Sequence, residues 1–196
     1  MPLNSWCRNL SNSVRLQQRS DGSLGYQPCC WMHETIPVST KENLTQARQQ
    51  FENLVMSDKE KYCSECIRRE NIGKYQSHRQ LVMKRVPDDA DSGDVSILEL
   101  SFDTVCNAAC VTCGPWFSSL WRKQLKIIDV AATDNYKKLY NMIDLDKITH
   151  INLLGGEPTL SDGYFQLLDQ IPTPENVTVK YNTNGSILPD DNTQRI

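Results

Sequence analysis

The chain has 196 residues, 39% hydrophobic and 23% charged, with a formal net charge of −3. That balance excludes an intrinsically disordered chain, and the small negative charge argues against a non-specific nucleic-acid binder. No apolar stretch reaches the ~18–20 residues of a membrane span, and residues 1–10 lack the apolar core of a signal peptide, so a cytoplasmic protein without a membrane partner is expected.

In chain order, residues 1–90 carry five of the eight cysteines, namely Cys7, Cys29, Cys30, Cys63 and Cys66. In a reducing compartment these read as metal ligands rather than disulfides. The run Asp21 to Gly25 predicts a turn between short extended segments. Leu44, Ala47, Phe51, Leu54 and Val55 recur at helical spacing and predict an amphipathic helix over 41–57. The pair Cys63-Ser-Glu-Cys66 follows it. Residues 87–94 are polar, acidic and rich in breakers, and read as a linker.

From Val95 onward the pattern changes. Val95 to Phe102 reads as a strand, 115–130 as a helix with Pro115 in its first turn, and Tyr136 to Ile143 as another helix. Ile148 to Leu154 reads as a second strand and Tyr164 to Ile171 as a short helix. Val177, Val179 and Tyr181 alternate along a third strand. Strands alternating with helices imply parallel βαβ units, which gather ligands at the carboxyl ends of their strands. Trp116, Phe117, Leu120 and Trp121 read as helix packing against this sheet rather than as a substrate platform.

The chemistry concentrates at those strand ends. Cys106-Asn-Ala-Ala-Cys110-Val-Thr-Cys113 puts three thiols on one loop at Cys-x3-Cys-x2-Cys spacing. Three thiolates can hold three irons of a [4Fe–4S] cube and leave the fourth open to chemistry, whereas structural zinc wants four closed ligands. After the second strand comes Gly155-Gly156-Glu157-Pro158, and after the third Asn182-Thr183-Asn184-Gly185. The three motifs in this order resemble those of radical S-adenosylmethionine (SAM) enzymes. The resemblance implies an α/β fold, an incomplete radical SAM partial (β/α) barrel of about three βα units over residues 95–196, preceded by a small cysteine-rich domain over 1–90. A complete barrel of that family has about six such units, so the chain reads as the front part of a longer protein.

By the same resemblance, Cys106, Cys110 and Cys113 bind a [4Fe–4S] cluster whose open iron takes the amino and carboxylate groups of SAM. Reductive cleavage then yields a 5′-deoxyadenosyl radical that abstracts hydrogen from a substrate. Gly155, Gly156, Glu157 and Pro158 would approach the methionine portion, with Glu157 accepting from its amino group. Asn182 and Asn184 would offer polar contacts, and no catalytic residue is specified. The residue before the third cysteine is Thr112, where the family usually carries a large or aromatic side chain that brackets adenine. The first ninety residues resemble a SPASM/twitch auxiliary-cluster segment through Trp6-Cys7, Gly25 to Cys30, and Cys63 to Gly73. Cys7, Cys63, Cys66 and Cys29 are the expected ligands of a second [4Fe–4S] cluster, with zinc as the alternative. Cys30 is then a spare thiol or a substitute for Cys29, since adjacent cysteines in extended chain point opposite ways, and His33 reads as a surface or packing residue. A reductant such as flavodoxin or ferredoxin is implied, and a peptide or protein is favoured as substrate. The rival reading is a non-catalytic iron–sulfur or zinc module.

Overall fold

In the computed structural model, residues 7–85, 94–128 and 135–187 are described. The elements run α1 (Arg8–Ser11), β1 (Ser13–Gln18), β2 (Leu24–Gln27), β3 (Ile36–Pro37), α2 (Lys41–Ser57), α3 (Lys59–Tyr62), α4 (Ser64–Ile72), α5 (His78–Arg85), β4 (Ile97–Ser101), α6 (Ser119–Gln124), α7 (Asn135–Tyr140), β5 (His150–Leu153), α8 (Asp162–Leu168) and β6 (Thr178–Tyr181). One six-stranded sheet, ordered β3-β2-β1-β4-β5-β6, carries them all. Strands β1, β4, β5 and β6 are parallel, and β2 and β3 are antiparallel to their neighbours. This α/β architecture is compatible with part of a radical SAM barrel.

The register explains which face is buried. Leu16, Leu100, Leu153 and Tyr181 lie in one row across the parallel strands, and Val14, Leu98, Ile151 and Val179 in another. Paired residues point to the same face, so these rows form an apolar surface. It is covered by Leu139 and Ile143 near α7 and by Tyr164 and Leu167 of α8. The row between them is polar: Arg15, Glu99, Asn152 and Lys180. There Arg15 Nη1 donates to Glu99 Oε2 at 2.9 Å, and Asn152 Nδ2 donates to Glu99 Oε1 at 3.1 Å. Glu99 is buried, so these partners are what make its charge tolerable.

The helix expected over 41–57 forms as α2. Thr40 caps it by accepting from the Asn43 N–H, and Leu44, Ala47, Phe51 and Val55 are buried. The turn at Asp21 joins β1 to β2, with Gly22 at φ 81° and Asp21 Oδ1 accepting from the Ser23 N–H. Two expectations need correction. The helix over 115–130 shrinks to α6, because Ser118 caps it by accepting from the Trp121 N–H and Pro115 lies in the turns before it. Trp116 and Phe117 are 67% and 42% exposed and do not pack against the sheet. Residues 129–130 of that helix, Trp6, residues 87–93 of the linker and the tail beyond 187 lie outside the described residues.

The sheet is continuous across the expected boundary near residue 90, since β1 hydrogen-bonds alongside β4. Replacing Arg15 with Met is expected to cost about 3 kcal/mol by stranding the buried Glu99. Urea unfolding measures this, and the double variant Arg15→Met/Glu99→Leu should recover most of the loss. Equal losses in the single and double variants would show that the ion pair is not the cause.

Candidate metal and cofactor site

Parallel strands in the order β4-β5-β6 bring three loops side by side at their carboxyl ends. The cysteine loop leaves β4, Gly155 to Pro158 leaves β5, and Asn182 to Gly185 leaves β6. The ladder continues past the strands. The Leu154 N–H donates to Leu100 O at 2.7 Å, Glu157 N–H to Val105 O at 2.6 Å, and Asn182 N–H to Leu153 O at 3.0 Å.

The two glycines are required by this contact. Gly155 has φ 95°, where a side chain is strained, and a Cβ there would stand 2.7 Å from Ser101 Oγ. A Cβ on Gly156 would stand 1.9 Å from Val105 O. The close approach these glycines permit is therefore to the chain's own cysteine loop, one residue before Cys106.

Glu157 is buried, and its carboxylate is surrounded by donors. Oε1 accepts from the Thr159 hydroxyl at 2.7 Å, the Thr159 N–H at 3.2 Å and the Thr183 hydroxyl at 2.7 Å. Oε2 accepts from the Asn184 N–H at 2.7 Å. Burial pushes its pKa up, but the donors outweigh burial and hold it below the ordinary carboxylate range. Asn184 in turn donates through Nδ2 to Asn107 Oδ1 at 3.0 Å and lies 3.9 Å from Cys106 Sγ. Asn107 Nδ2 donates to Ser186 Oγ at 2.8 Å. Asn182 contributes its backbone to the ladder, and Pro158 is buried in the turn that Glu157 caps.

Several of these contacts come from residues that carry no motif. Asp103 accepts from the Ser161 hydroxyl at 2.5 Å and the Val105 N–H at 3.0 Å, and burial raises its pKa despite both bonds. Tyr164 donates to Leu154 O at 2.5 Å, accepts from the Phe102 N–H at 3.0 Å and stacks on the Phe102 ring at 5.3 Å. Ser119 Oγ accepts from the Cys106 N–H at 3.1 Å, and Ser118 Oγ donates to Ala108 O at 2.7 Å. Trp121 Nε1 donates to Cys110 O at 2.9 Å. The Ser-Ser pair just after the loop is a visible cue in the sequence; Asp103 and Tyr164 offer none.

The loop backbone is thus pinned while its sulfurs stay accessible. Cys106 is half-buried, and Cys110 and Cys113 are exposed, as is Thr112. Burial, then the neighbouring Cys110 and Cys106 sulfurs, pushes the Cys113 thiol up. Among the described residues no three Cys, His, Asp or Glu side chains are gathered into a ligand set. By donor type the loop fits an iron–sulfur cluster: three thiols on a short, backbone-anchored segment, with amide N–H groups of Ala108 (3.4 Å) and Asn184 (3.9 Å) directed at Cys106 Sγ.

In the N-terminal half, Cys7 immediately precedes α1, and Cys63 and Cys66 flank the start of α4. Burial first, then the nearby Cys63 and Cys66 sulfurs, pushes Cys7 up to about 12. Cys29 is also pushed up to about 12, by burial and then by Cys30 and Cys7. Burial first, then the Glu99 and Cys66 charges, pushes the Cys30 thiol up, while Arg15 draws it down. His33 is exposed and lines a separate cleft near the end of β1. All eight cysteines are free thiols.

The chain is 31% identical over 80 residues to the mycofactocin maturase MftC of Mycolicibacterium smegmatis. The match covers 41% of this chain and spans 19% of that relative's length. It supports radical SAM membership. No family model and no solved structure matches the chain. Among the described residues no helix is long and apolar enough to cross a membrane.

Two outcomes follow. Gly156→Ala should displace the cysteine loop and lower the melting temperature, whereas Gly114→Ala, whose added Cβ would meet nothing nearer than 3.8 Å, should not. Glu157→Gln should cost about 1–3 kcal/mol at neutral pH. Because the folded-state pKa of Glu157 is depressed, its contribution is present above the unfolded-state value and fades as pH falls through the folded-state value. The stability gap between wild type and variant should therefore narrow in acid, as urea titrations at several pH values would reveal.

Proposed function

We propose that this chain carries the cluster-binding region of a radical SAM enzyme. The observation that carries the reading is the junction of three loops at adjacent strand ends. Val105 meets Glu157 there, Glu157 meets Thr183 and Asn184, and Asn184 meets Asn107 and Cys106. Unrelated turns have no reason to be bonded to one another around a three-cysteine loop.

In this reading Cys106, Cys110 and Cys113 hold a [4Fe–4S] cluster as thiolates. Once bound, the cluster and SAM supply an electron and a carbon-centred radical for hydrogen abstraction. The chain's own residues do the positioning. Gly155 and Gly156 let the β5 loop lie against the cysteine loop, and Glu157 locks it to the β6 loop. Asn184 hydrogen-bonds beside Cys106, while Asn182 and Pro158 shape the rim offered to the methionine portion. Thr112 gives little surface for adenine, which then rests on other residues.

Cys7, Cys63, Cys66 and Cys29 are proposed to hold an auxiliary [4Fe–4S] cluster, supported by Cys63 and Cys66 lying near enough to Cys7, and Cys7 near enough to Cys29, to help raise those two thiols. Residues 1–90 then form the auxiliary segment and 95–196 the core. Electrons would come from a flavodoxin or ferredoxin. A peptide substrate is favoured because the relative is named a maturase.

Anaerobic reconstitution tests the proposal. The chain should take up about eight irons if both clusters form, and Cys110→Ala should lose about half of them. Dithionite-reduced protein should produce 5′-deoxyadenosine from SAM, and the Cys110→Ala variant none. A chain that binds only zinc under these conditions refutes the enzyme reading.

A further inference from the structure

A cleft of about 520 Å³ opens beside the cysteine loop, where β1 flanks β4. Gln17 and Gln18 at the end of β1, Arg19, Arg122 and the aromatic pair Trp116 and Phe117 form most of its wall. Thr104 and Ser101 connect it to the loop that begins at Cys106. None of the motifs discussed above accounts for it.

Its chemistry is one-sided. Two guanidinium groups line it, and among the described residues no Asp, Glu or Lys does. Arg19 is held in place by Nη1 donating to Thr35 Oγ1 at 2.8 Å and Thr35 O at 3.1 Å, with the exposed Asp21 carboxylate 3.8 Å from its Nε. Arg122 is buried and donates through Nη2 to Ile128 O at 2.7 Å. Positioned guanidinium groups favour a planar anion. The Gln18 Nε2 amide is buried with no hydrogen-bond partner among the described residues, a donor that a ligand carbonyl would satisfy. Trp116 and Phe117 present exposed ring surface of the kind that anchors peptide side chains. Among the described residues no glycine lines the cleft, so they offer no backbone cradle of the kind phosphates favour.

We infer that this cleft binds a carboxylate-bearing peptide segment, the carboxylate on Arg19 and Arg122, a backbone carbonyl on Gln18 and an apolar side chain on Trp116. As a substrate or leader site beside the cysteine loop this rests on the proposed function, but binding itself does not need the cluster. Calorimetry on the metal-free full chain at low salt should show acetyl-Glu-Phe-Glu-Tyr-Glu-amide binding at least about tenfold tighter than its glutamine counterpart. Arg19→Gln and Trp116→Ala should each weaken it about fivefold or more with an unchanged circular dichroism spectrum, and Arg19→Lys should restore part of the loss. Equal affinity for the acidic and glutamine peptides, no effect of either variant, or preferential binding of ATP would overturn the inference. Iron uptake, measured separately, should be unaffected by Arg19→Gln. Peptide binding without iron uptake by the wild type would sink the enzyme reading alone, and iron uptake without peptide binding would sink this inference alone.

Discussion

The site depends on one buried carboxylate. Glu157 takes donors from its own turn through Thr159 and from the next strand's loop through Thr183 and Asn184, while its backbone N–H holds Val105 of the cysteine loop. A carboxylate out of water must be satisfied locally, and charge-assisted bonds are the strong ones. Its two oxygens therefore act as a clamp. The β5 and β6 loops cannot separate without exposing or orphaning that charge, and the cysteine loop cannot leave without breaking the Val105 contact. The residue that reads in sequence as a cofactor contact serves first as the junction of the protein's own loops.

A second constraint links the two halves of the chain. Strand β1 extends the parallel sheet beyond β4, and the Arg15–Glu99 pair crosses that seam. The N-terminal cysteines are thereby carried on elements anchored to the same sheet as the cysteine loop. Cys30 lies within reach of the Arg15 and Glu99 charges, so the cysteine-rich segment borders the polar row of the sheet. The β1 end also supplies one wall of the arginine-lined cleft, which could not exist on the three core strands alone.

Periodicity made much of the fold legible. Helix α2 has its cap and its buried stripe written in Thr40, Leu44, Ala47, Phe51 and Val55, and β4, β5 and β6 show in runs of branched and aromatic residues. The parallel pairing of β1 with β4 was not legible, because Ser13 to Gln18 reads as a short mixed segment and its partner lies more than eighty residues away. Helix α6 was overread, since a local apolar pattern does not reveal that Ser118 will cap late and leave Trp116 and Phe117 exposed. The motif residues of the site were legible by type and order. Asp103, Tyr164 and the Asn107–Asn184 bond were not, because each acts only once strand ends distant in sequence stand side by side.

The loop combines a fixed base with accessible sulfurs, and the two properties have separate causes. Ser118, Ser119 and Trp121 bind its backbone carbonyls and amides from α6 and its cap, while Val105 and Asn107 tie its first half to the neighbouring turns. Cys110 and Cys113 lie in the half that faces solvent. Exposure of Cys110 and Cys113 on a tethered backbone leaves both sulfurs accessible while limiting how far they can move. The same division leaves Trp116 and Phe117, three and four residues after Cys113, exposed and lining the cleft. The segment that carries the three accessible thiols is thus continuous with the one that turns aromatic surface outward.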